Sequence, residues 1–282
     1  TLEAGSCPTC LHDTAVQPPQ IVDEDNDRFE SLPSQPASDD DFDAVSLIAD
    51  GTDALALLIA DARAVLATSP AYAESSRYLR RLPNVRVVPL GVDTRRFSPG
   101  PADGAGGYFL FVGRFRRYKG IPVLLAAWRG LPGRRLVMAG SGPLSKEISE
   151  AASRDGSLVE LAGDVGDDRL VELYRGARAL ILPSTERSEA FGLVQVEAMA
   201  GGTPVISTDI ATGVPWVNRD GESGLTVRAG DPGAIREAVE RLDDDALRGG
   251  LSAGARSRAL AHFDMERTMD ELERSCRDAA GI

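Results

Sequence analysis

From about residue 106 onward, short apolar runs alternate with longer stretches whose apolar positions recur every three to four residues. That alternation predicts strands and helices in turn. Runs such as Leu136-Val137-Met138-Ala139 and Ala179-Leu180-Ile181-Leu182 are apolar throughout, the pattern of strands covered on both faces. The runs place strands near residues 108, 135, 159, 179, 204 and 225, and βαβ order of this kind predicts an α/β fold with a parallel, doubly wound sheet. Asp231-Pro232 opens a helix expected to reach Arg241, Asp243 starts another through Ala261, and a last one runs from about Met265 to Asp278. From about Phe191 the apolar positions Leu193, Val196, Met199 and Ala200 have helical spacing, and Gly201-Gly202 ends that helix where a left-handed residue costs little.

The stretch around this helix carries the chemistry. A loop from Thr185 to Ala190 follows the buried strand at 179, so Glu189 falls just before the helix and Glu197 near its second turn. The free amides of residues 190 to 193 should point out of the helix end, where the dipole favours an anion such as a diphosphate. Carboxylates beside a phosphate site make sense when the same ligand brings sugar hydroxyls, which donate to them in charge-assisted hydrogen bonds. Two glutamates eight residues apart also arise by chance in an acidic chain. Upstream, Arg114, Arg116, Arg117 and Lys119 follow the strand at 108. They read either as a solvated basic loop or as phosphate ligands at the carboxyl edge of an open sheet, where such sheets bind. Lys119 is one of two lysines in the chain, which favours the second reading. Leu136 to Pro143 makes a strand and a Gly-x-Gly turn, with Glu160 near the distance of a ribose-binding acid. A dinucleotide fingerprint, and with it a nicotinamide-dependent oxidoreductase, rests on that turn alone, and Ser145 replaces its third glycine.

Taken together, Glu189 to Glu197, Gly113-Arg114 with Lys119-Gly120, and Gly140-Ser141-Gly142-Pro143 closely resemble the retaining glycosyltransferases of family 4. These enzymes have the GT-B architecture of two Rossmann-like domains facing across a cleft. The resemblance spans about residues 55 to 277 and implies the C-terminal, donor-binding domain with a truncated N-terminal domain. It implies that Glu189 contacts the transferred sugar, that Glu197 contacts the ribose, and that Arg114 and Lys119 hold the leaving diphosphate. Gly113, Gly142, Val165, Ala190, Phe191, Gly192 and Leu193 complete the implied donor site. The implied reaction moves a hexose from a nucleotide diphosphate sugar to a saccharide or lipid-linked acceptor, without cofactor or metal. The chain departs from the family at Trp216, where a Glu is usual, and Trp216-Val217-Asn218 resembles bacterial members of surface polysaccharide assembly. A non-catalytic nucleotide-sugar-binding module that needs a partner's acceptor half is the alternative.

Charge divides the chain. Residues 1–60 carry thirteen acids and one Arg, a balance of −12, while the remaining residues balance at thirty of each sign. The body is therefore neutral, which points to no nucleic-acid partner. Residues 1–50, with clustered Pro, Ser and Asp, read as an acidic segment that is disordered or incomplete. Residues 51–100 resemble a remnant of the acceptor-side domain and the interdomain passage, 101–262 the nucleotide-sugar domain, and 263–282 a helix returning toward the N-terminal side. Cys7 and Cys10 with His12 lack a second ligand pair for zinc, and three cysteines make no disulfide framework. His262 is expected to cap or pack a helix end. With no secretory segment or apolar run of membrane length, the expected setting is cytoplasmic, with association at the inner face of the membrane left open. The sequence leaves the oligomeric state open.

Overall fold

A computed structural model describes residues 59, 61–100, 107–154 and 158–282. Cys7, Cys10, His12 and the whole of the acidic segment lie outside these residues. A short parallel pair, β1 (Val65–Ala67) and β2 (Val85–Val87), precedes the main sheet and is linked through α1 (Pro70–Ser75). The main sheet holds β3 (Tyr108–Val112), β4 (Arg135–Ala139), β5 (Val159–Gly163), β6 (Ala177–Leu182), β7 (Val205–Thr208) and β8 (Gly224–Val227). Its six strands lie in the order β5-β4-β3-β6-β7-β8, all parallel. The chain builds outward from β3 to β5, then returns past β3 and builds the other way, so the sheet reverses between β3 and β6.

The uninterrupted apolar runs follow from covering both faces of this sheet. Phe109, Phe111, Leu136, Met138, Ala179 and Ile181 face α2 (Ile121–Trp128), α3 (Ser145–Ala152) and α7 (Pro232–Arg241). Leu110, Val112, Val137, Ala139 and Leu180 face the other way, toward α4 (Asp167–Gly176), α5 (Leu193–Ala200), α6 (Val214–Val217) and α8 (Asp245–His262). Residues alternate between the two layers with the period of a strand, and each buried Leu, Ile or Phe contributes about 1.5–3 kcal/mol against the cost of ordering the chain. The three carboxyl-side helices start on aspartates: Asp231 accepts from the amides of Gly233 and Ala234, Asp244 from those of Ala246 and Leu247, and Asp264 from that of Glu266.

Between β8 and β2 the C-terminal segment closes back. Val92 pairs with Asp264, its amide donating to the Phe263 carbonyl at 2.9 Å, and Arg86 of β2 meets Asp278 of α9 (Met265–Ala280) at 2.8 Å. Arg256 donates to the carbonyls of Thr94 and Phe97, tying the segment after β2 to α8. Among the described residues no helix is long and apolar enough to cross a membrane.

Candidate functional site

Open parallel sheets present ligands at the carboxyl ends of strands flanking the point where strand order reverses. Here those ends belong to β3 and β6, and nearly every residue singled out in the sequence gathers there. Gly113 and Arg114 follow β3 directly, and together with Val112, Ala139, Gly140, Ser141, Asp164, Val165 and Leu170 they line a pocket of ≈300 Å³. That is the lower end of the size range of small-molecule sites. Arg114 is exposed, and its guanidinium has no acidic partner among the described residues. Gly142 does not line this pocket. Its turn packs against the backbone of Phe115, where an added Cβ would come within 2.8 Å, and the Ser145 hydroxyl closes it by donating to the Gly142 carbonyl at 2.7 Å. Ser145 thus serves the turn in place of a third fingerprint glycine. Glu160 stands exposed on edge strand β5, paired with Arg135 at 3.1 Å and away from the carboxyl ends, so it is not placed as a dinucleotide's ribose acid.

Lys119 ends a 3-10 turn (Arg117–Lys119) whose cap is Gly120, at φ 72°. An added Cβ at Gly120 would lie 1.8 Å from the Pro183 carbonyl, so only glycine lets this turn press against the end of β6. The close approach sets Lys119 Nζ 2.5 Å from Glu189 Oε2. Glu189 is buried and Lys119 largely so, with side chains 8% and 12% exposed, and Ser184 Oγ donates to the same oxygen at 3.0 Å. Lys119 is therefore already compensated, whereas Arg114 is open.

The helix after Glu189 begins at Leu193 rather than Phe191, because Gly192 is left-handed at φ 73° and acts as the cap. Gly192 tucks under Leu182, and Gly213 donates to the Ala190 carbonyl at 2.8 Å, fixing the loop. No acceptor among the described residues takes the amides of Ala190, Phe191, Gly192 and Leu193. Gly192 and Leu193 stand at the positive end of α5, and Ala190 and Phe191 lead into it from Glu189. Of the Gly201-Gly202 pair expected to end the helix, Gly201 is the helical cap and Gly202 takes the left-handed φ of 78°.

Glu197, on the second turn of α5, is held differently. Its Oε2 accepts from the Tyr174 hydroxyl at 2.6 Å. Burial raises its carboxyl above the ordinary glutamate value, with Asp167 adding to the rise and the Tyr174 bond opposing it. Burial, together with the charge of Glu197, pushes the Tyr174 phenol well above its usual range. Tyr174 and Ser184 were not singled out in the sequence. Tyr174 reads as an apolar position of its amphipathic helix and Ser184 as the polar end of an apolar run, and neither pattern reports a glutamate partner.

The Trp216-Val217-Asn218 signature has a structural explanation. Asn218 donates to the carbonyls of Val205 and Leu225 and to the Ser207 hydroxyl, and accepts from Ser223, so it stitches β7 to β8. Trp216 packs edge-on to Phe263 with ring centres 5.5 Å apart, and the Arg258 guanidinium donates to its carbonyl at 2.6 Å. His262 ends α8, but burial and the charges of Arg258 and Arg267 lower its pKa. The residue is exposed, with its ring centre 6.1 Å from that of Phe263. No cluster of three or more His, Cys, Asp or Glu suited to a metal occurs among the described residues.

The doubly wound sheet with its site at the reversal point is the Rossmann-like C-terminal domain of a GT-B fold. Residues 106–245 match the model of the family described as glycosyl transferases group 1, and this part of the chain is a domain of that family. The D-rhamnosyltransferase WbpZ of Pseudomonas aeruginosa is 36% identical over 209 residues, covering 70% of this chain and 55% of WbpZ. The O-antigen chain mannosyltransferase C of Escherichia coli is 35% identical over 195 residues, covering 65% of this chain and 52% of the relative. The chain spans about half the length of these curated relatives. Sucrose-phosphate synthase from Thermosynechococcus elongatus superposes with a TM-score of 0.69 at 30% identity, covering 80% of this chain and 61% of the synthase.

Proposed function

We propose that this chain provides the donor half of a retaining glycosyltransferase that moves a hexose from a nucleotide diphosphate sugar to a saccharide or lipid-linked acceptor in surface polysaccharide assembly. The observation that carries the reading is the set of four unclaimed amides at Ala190 to Leu193 beside the buried Glu189–Lys119 pair. A diphosphate suits the amides and the open Arg114, sugar hydroxyls suit Glu189, and ribose hydroxyls suit Glu197. The base then lies in the pocket lined by Val165 and Gly140.

In the proposed transfer the acceptor oxygen bonds to the anomeric carbon as the bond to the diphosphate oxygen breaks, on one face of the sugar, and the acceptor proton passes to the leaving phosphate. No protein nucleophile is required. The chain's own contribution is positioning and stabilisation of the charge that develops on the diphosphate. The names of the relatives, a rhamnosyltransferase and an O-antigen mannosyltransferase, support the polysaccharide setting. A cytoplasmic enzyme meeting a lipid-linked acceptor at the inner membrane face fits this reading.

Calorimetric titration with UDP, GDP, ADP and NAD, in parallel with Glu197→Ala, tests it. One nucleoside diphosphate should bind, and the variant should lose about tenfold or more in affinity, the worth of a charge-assisted hydrogen bond. Binding of none of them, or equal binding by the variant, overturns the donor-site reading.

A further inference from the structure

Glu197 has a single hydrogen-bond donor among the described residues, the Tyr174 hydroxyl. Tyr174 is itself 1% exposed, and its ring is locked from several sides. Phe97 packs edge-on against it with centres 6.0 Å apart, and Thr203 donates to its backbone carbonyl at 2.7 Å. The phenol therefore cannot swing away to water, and its proton is fixed on one carboxylate oxygen.

We propose that Tyr174 is a positioning residue for nucleotide recognition, presenting the Glu197 carboxylate to the two ribose hydroxyls and thereby selecting a ribonucleotide donor. The inference rests on the donor-site reading above. An ionised carboxylate has about four acceptor positions. Tyr174 fills one from the core side of α5 and leaves Oε1 and the remaining lone pair of Oε2 for a ligand. Without the phenol, a half-buried carboxylate with no other hydrogen-bond donor among the described residues either takes a proton or turns toward another donor. In both cases it stops accepting from a pair of vicinal hydroxyls in fixed geometry. Tyr174 touches no substrate in this arrangement and acts only through Glu197. A phenol suits the task because it is neutral and holds one oxygen only, without adding a charge of the kind that Lys119 sets on Oε2 of Glu189.

The test compares UDP, GDP and ADP with their 2′,3′-dideoxy counterparts by calorimetry, on the parent chain, Tyr174→Phe, Glu197→Gln and the double variant. The parent should prefer the ribose form of its nucleotide by about tenfold or more. Tyr174→Phe should lose most of that preference while binding the dideoxy form as the parent does. A loss shared equally by both forms marks a merely structural role and overturns the proposal. The double variant lacks the stranded carboxylate, so it remains informative even if Tyr174→Phe folds poorly. It should bind as Glu197→Gln alone does, and a further tenfold drop overturns action through Glu197. If the parent shows no ribose preference, the ribose assignment of Glu197 fails and this inference with it. If the parent prefers ribose and Tyr174→Phe does so equally, only the inference fails.

Discussion

Around Glu189 the partners are an ammonium and a hydroxyl, whereas Glu197 is held by one phenol, with burial and the charge of Asp167 raising its pKa. The two residues lie on one short segment, yet the first is charge-compensated before any ligand arrives and the second is not. The difference follows from the strands they serve. Glu189 leaves the end of β6 opposite the 3-10 turn that Gly120 presses against it, so a lysine from the β3 side reaches it. Glu197 lies one turn inside α5 against α4, where helices pack through apolar faces and a tyrosine is the polar group that fits. A compensated carboxylate is rigid and holds its lysine in return. An uncompensated one keeps acceptor capacity that ligand hydroxyls can use, and burial raises the cost of leaving that capacity empty.

The sharpest way to break this contrast is Lys119→Met. It leaves Glu189 buried without its cation, and removing one partner of a buried pair costs about 3–5 kcal/mol. Denaturant titration should show that loss, and Lys119→Met with Glu189→Gln should recover much of it. A single-variant loss below about 1 kcal/mol means the pair behaves as a surface ion pair, and the comparison collapses.

Much of this was legible in the chain, and the part that was not has a common cause. The six strands of the main sheet follow from apolar runs that need no partner to be recognised, and Asp231 announces its helix by chemistry local to three residues. Glu189, Glu197 and Gly113-Arg114 were legible as a linear pattern. The Lys119–Glu189 bond was not, because it spans a crossover through β4 and β5, and a sequence does not report which strand ends meet. Tyr174 was hidden for the same reason. It reads as one more apolar position of α4 until α5 is laid beside it. Asn218 shows the converse: its side-chain bonds serve the β7–β8 seam, although the motif around it drew attention as a functional signature. The helix start moved two residues because Gly192 adopts a left-handed cap, which apolar spacing alone does not register.

A smaller effect, of opposite sign, is expected on the other side of the comparison. Glu197→Gln keeps an acceptor for Tyr174 but carries no charge, so its denaturation midpoint should equal or exceed the parent's, within about 1 kcal/mol, while nucleotide binding falls. The pH dependence has a definite sign. The folded carboxyl of Glu197 titrates above the ordinary glutamate value of 4.5, because of burial, and the unfolded one titrates at that value. Its stability cost is therefore fully present above the raised folded value. The cost is relieved as pH falls through that value toward 4.5, where the folded state takes up the proton first. The phenol of Tyr174 stays protonated throughout, and Asp167 is the charged group that adds to the rise. Nucleotide affinity should weaken over the same fall in pH, since a protonated Glu197 accepts poorly. Glu197→Gln should lack both components, so that the difference between the two proteins isolates them, and a pH response equal to the parent's assigns the titration to another group.

The smallest effect on the fold should come from Arg114, and it completes the contrast by separating a cation that holds the structure from one that is free for a ligand. Arg114 is exposed and unpaired among the described residues, so Arg114→Gln should change stability by less than about 0.5 kcal/mol. Its guanidinium fork matches a diphosphate better than it matches anything nearby, so nucleoside diphosphate affinity should fall by about tenfold. Because the charge is exposed, added salt should shrink the gap between parent and variant. The buried Lys119 should show the reverse, with a large stability loss that salt barely alters. If Arg114→Gln binds the nucleotide as the parent does at low salt, the diphosphate is held by the helix-end amides without it. The open cation beside β3 then belongs to the solvated basic loop that its neighbours Arg116 and Arg117 also suggested.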